Sequence, residues 1–513
     1  MNSQYPRKDQ YEPLKPPPAT APDDGGYSTL RPISDIRSVL TDTAVEPPSE
    51  LKAALTENVE VNADLSPGLE LPANNKRAKR IASDRELLGR DRWLVRNGHF
   101  LTYIGLYLFS ILVLFRPYEL VSSLSFLGAT AFYFALATLS IYVPTQIVVE
   151  GNLTIMSTEI KAVLALTVLA LLSMLIAKDP GLAWETFNDS LIKAVLIFVV
   201  LVNAVRTRKR LLGLMWLSLL IGVYLSISAL DLYMKGEFSV ESYRIAVDVG
   251  GMFGNPNEMA MHFVMMTPLL VALGLASKNH LIRGLYYCMA VLFVAATMVT
   301  YSRGGFLGLL ACSAVLVWKF GRKKRLPSTI LSIVVGLVVT LAAPGNYGLR
   351  VLSIFIPSLD PVGSAGARRE GLITSIIVTL RNPWGVGIGN SIIFGAHDHQ
   401  THNAFTQVSS ELGLLGLVAY LVFMIAPFRK LGAIERTLYE ADDYNWYYYL
   451  AIGLQASIIG YMVSSFFASV AYNWFIYYLI AYAVAFRRIY SIEKGLMEDV
   501  TPRSVWDWRP AVS

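Results

Sequence analysis

Long apolar segments occupy most of the chain from residue 99 to residue 486, and this pattern restricts the fold more than any other feature. Apolar runs of about 18 residues or more are typical of membrane-spanning helices. Only helices and closed barrels satisfy the backbone hydrogen bonds in lipid, and runs of this length indicate helices. The composition agrees, because 54% of the residues are hydrophobic and 16% are charged, whereas soluble domains carry about 25% charged residues.

The segments predict an all-α, polytopic membrane protein with about twelve transmembrane helices and one large external loop. The predicted helices are residues 99–116, 121–143, 158–177, 190–205, 211–234, 257–276, 284–301, 305–320, 327–343, 407–427, 447–467 and 470–486. The predicted divisions are a region of transmembrane helices 1–9 (99–343), the loop (344–406), transmembrane helices 10–12 (407–490) and a tail (491–513).

Basic residues predict the orientation of these helices, because Lys and Arg concentrate in the short cytoplasmic loops of membrane proteins. With twelve crossings, the basic loops and the basic flank before the first helix all fall on one side. These loops are residues 206–210 (RTRKR), 278–283, 322–325 (RKKR), 429–436 and 487–488. Both termini are therefore predicted to be cytoplasmic, and the loop 344–406 is predicted to lie outside.

Residues 1–98 differ from the rest, because they are rich in proline, glycine and charge. Such a segment cannot bury a core, and we predict that it is disordered and cytoplasmic. No apolar run follows the start, so no signal peptide is predicted. Residues 76–96 carry eight Lys or Arg and three acids. This stretch favours a flank that fixes the first helix over an amphipathic helix on the inner leaflet.

The net charge of +6 follows the membrane topology and does not indicate nucleic-acid binding. The two cysteines, Cys288 and Cys312, each lie inside an apolar segment. We interpret them as small packing residues, because they form no metal-binding motif and no disulfide framework.

The polar residues of greatest interest lie near the predicted outer ends of helices and include Asp231, Arg244, Glu258 and Arg303. Ionisable residues within lipid are costly and usually functional. This distribution places chemistry at the outer membrane surface rather than along a path through the bilayer. A carrier that moves ions would more often have charges at the midplane.

The stretch YSRGGFLGLL places Arg303 in a turn between two apolar segments. Its glycines, Gly304 and Gly305, permit close approach of the backbone. An arginine there can grip a phosphate through paired donors, and the alternative is an arginine that extends to the membrane interface. Arg244 has two similar interpretations, an ordinary loop charge or a ligand-binding group. In FGNPN, Asn255 and Asn257 are both interpreted as capping residues of the following helix, and Asn257 is able to serve as its N-cap.

The external loop adds Arg368, Arg369 and Arg381, followed by the glycine-rich turn GVGIGN after Pro383. A GxG pattern of this kind is weak evidence of phosphate binding, and no strand–turn–helix context supports a dinucleotide fold.

Three of the six histidines lie in HDHQTHNAF, from residue 397 to residue 405. His397, His399 and His402 supply enough ligands for a zinc site, but clustered histidines in a loop often bind metal weakly. The alternative is a general base, since the imidazole pKa lies near neutrality. Among the three, His402 directly precedes the next apolar helix and is closest to the membrane surface.

These residues resemble the O-antigen ligase and polymerase superfamily of bacterial inner membranes. The likeness covers about residues 100–490 and leaves out the N-terminal region. The motifs that carry it are FGNPNEMA at 253–260, SRGG at 302–305, NPWGVGIGN at 382–390 and HNAFTQVSSELGLLG at 402–416.

The resemblance implies glycosyl transfer at the periplasmic face of the inner membrane. The donor would be a glycan on undecaprenyl diphosphate, and the acceptor a sugar hydroxyl on lipid A-core or on another lipid-linked glycan. It implies inversion of the anomeric centre without a metal ion or other cofactor. By the resemblance His402 and Arg303 are the catalytic residues. Diphosphate or glycan would be bound by Arg244, Arg303, Arg369, Arg381, Asn403 and Glu411.

Two other functions stay open at this point. A flippase or transporter for lipid-linked sugars would need a charged cavity through the bilayer, whereas the charges here gather at one face. A structural or sensor protein would depend on residues 1–98 rather than on the external residues. The arginine spacing in the loop does not separate a polymerase from a ligase.

Overall fold

The computed structural model describes residues 97–120, 122–127, 130–238, 240, 243–247, 253–322, 325–330, 333, 336, 364–394 and 401–495. These residues are mainly helical, and the extended pairing among them is one isolated bridge between Val240 and Arg244. The long helices are α1 (Asn97–Phe115), α2 (Thr130–Glu150), α3 (Thr158–Ser173), α4 (Pro180–Ala204), α5 (Arg208–Lys235), α6 (Pro256–Ala276), α7 (His280–Val299), α8 (Arg303–Phe320), α9 (Ser364–Arg381), α10 (Ala404–Glu440), α11 (Trp446–Ser464) and α12 (Trp474–Glu493).

The prediction of an all-α polytopic membrane protein is confirmed. Within the described residues, 11 helices are long and apolar enough to cross a membrane. Each lies on a predicted segment, although α10 is much longer than its predicted span, with 37 residues. The ninth predicted segment, 327–343, falls largely outside the described residues, as do nearly all of residues 1–98 and most of the C-terminal tail.

Small residues set the close packing of α8 against α11. Gly304 and Gly308 on α8 face Gly460 and Ser464 on α11, with a spacing of four residues in each helix. A Cβ atom at Gly308 would lie 3.0 Å from the carbonyl oxygen of Gly460. The Ser464 hydroxyl donates to the Gly304 carbonyl at 3.1 Å. Such small-residue pairs let helices approach closely in lipid, and here they fix the position at which α8 begins.

One end of the bundle, which we call the basic end, collects the predicted cytoplasmic loops. Three acids at this end, Glu150, Glu159 and Glu435, are largely buried, and each pairs with two cations. The pairs are Arg206 and Arg488 with Glu150, Lys430 and Arg487 with Glu159, and Lys319 and Arg322 with Glu435. Ion pairs between distant segments therefore tie the helices together at this end. The opposite end carries the predicted site residues, and we call it the site end.

Candidate active site

Arg244 is buried and lies against the turn before α8. Its Nε donates to the Thr300 carbonyl at 3.1 Å, and its Nη2 donates to Asn257 Oδ1 at 2.8 Å. The Ser302 hydroxyl donates to the same Asn257 oxygen at 2.9 Å. One amide oxygen therefore joins the arginine from the loop before α6 to the turn that precedes Arg303. These hydrogen bonds hold the planar Arg244 guanidinium in a defined position.

Of the two asparagines predicted to cap α6, Asn255 is confirmed and Asn257 is not. The cap is Asn255, whose side chain accepts a hydrogen bond from the Asn257 backbone N–H at 2.9 Å. Pro256 occupies the first helical position, where its missing N–H is not needed. The Asn257 side chain is thus left to bind Arg244 and Ser302 instead of its own helix.

Arg303 is the first residue of α8 and is buried, with 6% of its surface exposed. Ser302 caps the helix by accepting from the Gly305 N–H at 3.1 Å. A Cβ atom at Gly304 would lie 2.8 Å from the Phe467 Cβ, and one at Gly305 would lie 2.8 Å from the Ala260 Cβ. The SRGG motif therefore packs tightly against two neighbouring segments, and Arg303 lies at this close junction.

Residues 464–473, which we call the bridging segment, connect the parts of the site end. The segment joins α11 to α12 and makes four hydrogen bonds to three separate regions of the chain. Its contacts are Ser464 with Gly304, Ser469 with Thr401, Ala471 with Gln407 and Asn473 with Glu258. It therefore brings the beginnings of α6, α8 and α10 into one neighbourhood.

His402 is half-buried and has a φ of 50°. This left-handed conformation is uncommon for a residue other than glycine, although histidine adopts it more often than most. Its neighbour Thr401 shares a hydrogen bond of 3.1 Å with Ser469 of the bridging segment. The backbone at His402 is thus held in an unfavourable state by contacts on both sides, which is a common property of functional sites.

Asn403 caps α10, because its side-chain oxygen accepts from the N–H groups of Phe405 and Thr406. Its Nδ2 atom is buried and makes no hydrogen bond to the described residues. The resemblance gives Asn403 a substrate-binding role, and this free donor is the atom with which it would act. His397 and His399 lie outside the described residues. Within the described residues no group of three His, Cys, Asp or Glu side chains is close enough to bind a metal.

Glu411 lies in α10 and is buried, with 2% of its surface exposed. The Ser391 hydroxyl donates to its Oε1 at 2.6 Å. The Tyr472 hydroxyl, from the bridging segment, and the second carboxylate oxygen of Glu411 are both buried and make no hydrogen bond to the described residues. Burial and the nearby Glu411 charge raise the pKa of Tyr472 well above its ordinary value. The Glu411 side chain therefore ties α10 to the segment that carries Ser391.

Two of the sequence motifs interlock next to Glu411. α10 is broken at Gly413, which has a φ of 74° and a ψ of −174°. The carbonyl oxygens of Ser410 and Glu411 accept instead from the N–H groups of Val386 and Gly387, at 2.9 and 3.1 Å. A Cβ atom at Gly413 would lie 2.4 Å from the Pro383 oxygen. The glycines of both motifs are thus required by close backbone contact.

The glycine-rich turn does not form a phosphate-binding cradle. The N–H groups of Gly385, Val386, Gly387, Ile388 and Asn390 all donate within the protein. The Asn390 side chain accepts from the Asp179 N–H at 2.7 Å and donates to the Asp179 carbonyl at 3.0 Å. The turn joins the α3–α4 connection to α10, and its role is structural.

The structure does not bury Arg369 and Arg381 as it does Arg244 and Arg303. Both are exposed on α9, a helix that the sequence analysis did not predict within the external loop. Sequence reasoning also missed Ser391, Tyr472 and Asn473. A signal for the last two was the short polar sequence SVAYN between two apolar segments at the predicted outer surface.

Residues 288–421 match the family model described as O-antigen ligase. The resemblance to the O-antigen ligase superfamily is therefore confirmed. The match runs from α7 into α10 and includes Arg303, His402, Asn403 and Glu411, whereas Arg244 and Asn257 precede it. It supports a membrane enzyme of the glycosyl-transfer type, of the broad ligase or polymerase kind. A comparison with curated proteins finds no match.

Proposed function

We propose that this O-antigen ligase superfamily protein transfers a glycan from undecaprenyl diphosphate to a sugar hydroxyl at the periplasmic face of the inner membrane. The transfer would serve polymerisation or ligation of an O-antigen or exopolysaccharide. The acceptor would be a lipid-linked glycan in the first case and lipid A-core in the second. The observation that carries the proposal is the joining of Arg244 and the Arg303 turn through Asn257 at the site end.

The chemistry requires positive charge where a diphosphate leaves. A lipid diphosphate holds its head in water and its chain in lipid, so its binding groups must lie at the membrane surface. Arg244 and Arg303 would stabilise the charge that develops on the leaving diphosphate, and preorganised donors of this kind are worth about 10²–10³-fold in rate each. Arginine supplies this charge without a metal ion.

In the proposed step His402 removes the proton from the acceptor hydroxyl. The acceptor oxygen then attacks the anomeric carbon of the donor, and the bond between this carbon and the diphosphate oxygen breaks. The new glycosidic bond forms with inversion, and undecaprenyl diphosphate leaves with the bonding electrons. A positioned base contributes about 10²–10⁴-fold. Asn403 Nδ2 would bind a glycan hydroxyl, while Glu411 would position the segment that carries both residues.

A bacterial strain lacking the protein gives the first test. Single repeat units that accumulate on undecaprenyl diphosphate would indicate a polymerase, and long chains retained on the lipid would indicate a ligase. Lipid-linked glycans trapped at the cytoplasmic face would contradict the proposal and favour a flippase.

The residue test uses Arg303→Ala and His402→Ala in this strain, with Lys235→Ala as the control. Lys235 is an exposed cation that pairs with Asp231 on α5. We expect both site variants to lose glycan assembly at normal membrane levels, and the control to retain it. Activity in both site variants would overturn the assignment. Activity lost in EDTA and restored by zinc would show that a metal is needed.

A further inference from the structure

Helix α9 has the reverse of the polarity expected for a helix on a protein surface. Its buried face contains small and polar residues, and the Thr379 hydroxyl shares a hydrogen bond of 3.0 Å with Ser409 on α10. Its outward face is apolar: Ile373, Ile376 and Ile377 are between 43% and 46% exposed, and Leu380 is 76% exposed. A helix bathed by water normally places these residue types on the opposite faces.

The two faces are well separated around the helix. At about 100° per residue, the four apolar positions fall within an arc of roughly 100°. The buried Ser375, Val378 and Thr379 lie on the other side. This separation makes the outward stripe a continuous surface rather than scattered exposed side chains.

The two ends of α9 carry residue types that commonly lie at the interface between lipid and water. Arg369 and Arg381 are exposed at either end of the stripe, and Trp384, which follows the helix, is 73% exposed. Basic and tryptophan residues at the margins of an apolar face are typical of helices that lie in the interface. With 18 residues α9 has the length of a membrane span, but it does not meet the hydropathy of one.

The stripe ends beside an apolar surface on a helix long and apolar enough to cross a membrane. The Leu414 N–H of α10 donates to the Pro383 carbonyl at 2.9 Å, directly beside Trp384. From this point α10 exposes Leu414, Leu415 and Val418, each about half exposed, along a predicted membrane-spanning helix. The end of α9 and the exposed apolar residues of α10 thus lie next to one another, at the contact between Pro383 and Leu414.

We infer that α9 lies on the outer leaflet of the membrane, with its Ile/Leu stripe among the acyl chains and Arg369 and Arg381 at the phosphate groups. The partner is the phospholipid monolayer itself. In this position α9 sets the depth, relative to the membrane surface, of the glycine-rich turn and of Glu411, which contacts that turn. The inference does not depend on the proposed glycosyl transfer.

The test measures the accessibility of spin labels in the full-length protein, reconstituted in phosphatidylethanolamine and phosphatidylglycerol vesicles. Single cysteines replace Ile377 and Leu380, in a background in which the exposed Cys288 is changed to serine and the buried Cys312 is kept. Val418→Cys provides the lipid reference, and Glu237→Cys, in an exposed turn, provides the aqueous reference.

We expect labels at both α9 positions to collide with oxygen and to be shielded from a water-soluble nickel chelate, as at position 418. Collision with the nickel chelate at the level of position 237 would show a face in water and overturn the inference. Shielding from both reagents would show a face covered by protein, such as a second copy, and would also overturn it. Two positions are used so that one poorly folded variant does not decide the result.

Discussion

The two ends of the helix bundle hold their acidic side chains in different ways. At the basic end each of three buried acids pairs with two cations, as Glu159 does with Lys430 and Arg487. At the site end Glu411 accepts from the Ser391 hydroxyl, and Glu258 accepts from the Asn473 amide. The first arrangement pairs opposite charges within the protein and connects helices. The second fixes acidic side chains through hydrogen bonds from neutral groups.

The two ends also differ in the kind of contact that holds them together. Side-chain ion pairs hold the basic end together, and their geometry tolerates small shifts. The site end relies on backbone hydrogen bonds and on glycines in close contact, such as Gly413 against Pro383. Two isosteric substitutions test what each arrangement does: one removes a carboxylate at the basic end, and the other adds a carboxylate at the site end.

The largest expected effect is on stability, from Glu159→Gln at the basic end. This change leaves Arg487 and Lys430 without their shared carboxylate, and breaking a buried ion pair costs about 3–5 kcal/mol. Thermal unfolding in detergent would measure it. The matched control is Asp231→Asn, which removes the acid of an exposed pair with Lys235 and should leave the melting temperature unchanged. Equal melting temperatures for both variants would mean that these ion pairs do not hold the basic end.

The converse change, Asn257→Asp, places a carboxylate against Arg244 at the site end. We expect unchanged or slightly higher stability, because the new anion pairs with a buried cation. The rate of glycan transfer should fall by about 10²–10³-fold, since a carboxylate beside Arg244 would weaken the attraction of this arginine for a diphosphate. The measurement is a transfer assay with purified protein and a lipid-linked donor.

The control for this substitution is Asn255→Asp, the same chemical change two residues earlier. Asn255 caps α6, and aspartate caps a helix as well as asparagine does. This variant should keep the wild-type rate. A similar fall in both variants would show that the effect comes from general charge near α6 and not from Arg244.

Much of the fold could be predicted from the sequence because lipid permits few structures. Apolar runs had to be helices, and the ends of segments such as 257–276 agree closely with α6 (Pro256–Ala276). α9 was missed because its apolar residues recur every three or four positions between charges, in a loop expected to be irregular. A helical period in residues 373–380 was the signal that could have identified it.

The site was predicted less completely, for a physical reason. Residues such as Arg303 and His402 lie in recognisable motifs next to apolar segments, and local sequence indicates them. The contacts of Asn473 with Glu258 and of Ser391 with Glu411 join residues 215 and 20 positions apart. No local pattern specifies such pairs. The error at Asn257 was different, because Pro256 at the first helical position already indicated that Asn255 alone is the cap.

A smaller effect on stability is expected from Gly413→Ala, which tests the backbone junction at the site end. Alanine at a φ of 74° is strained, and its Cβ would meet the Pro383 oxygen at 2.4 Å. Together the backbone strain and this close contact should lower the free energy of unfolding by about 2–4 kcal/mol. Gly284→Ala is the control, because a Cβ there meets no atom within 4 Å and alanine favours the helix. A melting temperature for Gly413→Ala at or above that of the control would contradict the proposed junction.

The smallest effect should come from Arg381→Ala or Arg369→Ala, because both side chains are exposed on α9. An exposed charge contributes about 0.2–1 kcal/mol, so the transfer rate should fall by no more than about five-fold. Screening by salt should remove the difference, since the Debye length shortens to about 3 Å at 1 M. A loss as large as that of Asn257→Asp, at any salt concentration, would instead place these arginines against the substrate. The substrate-binding surface would then extend from Arg244 and Arg303 onto α9. Exposed arginines would in that case be part of what distinguishes the site end from the basic end.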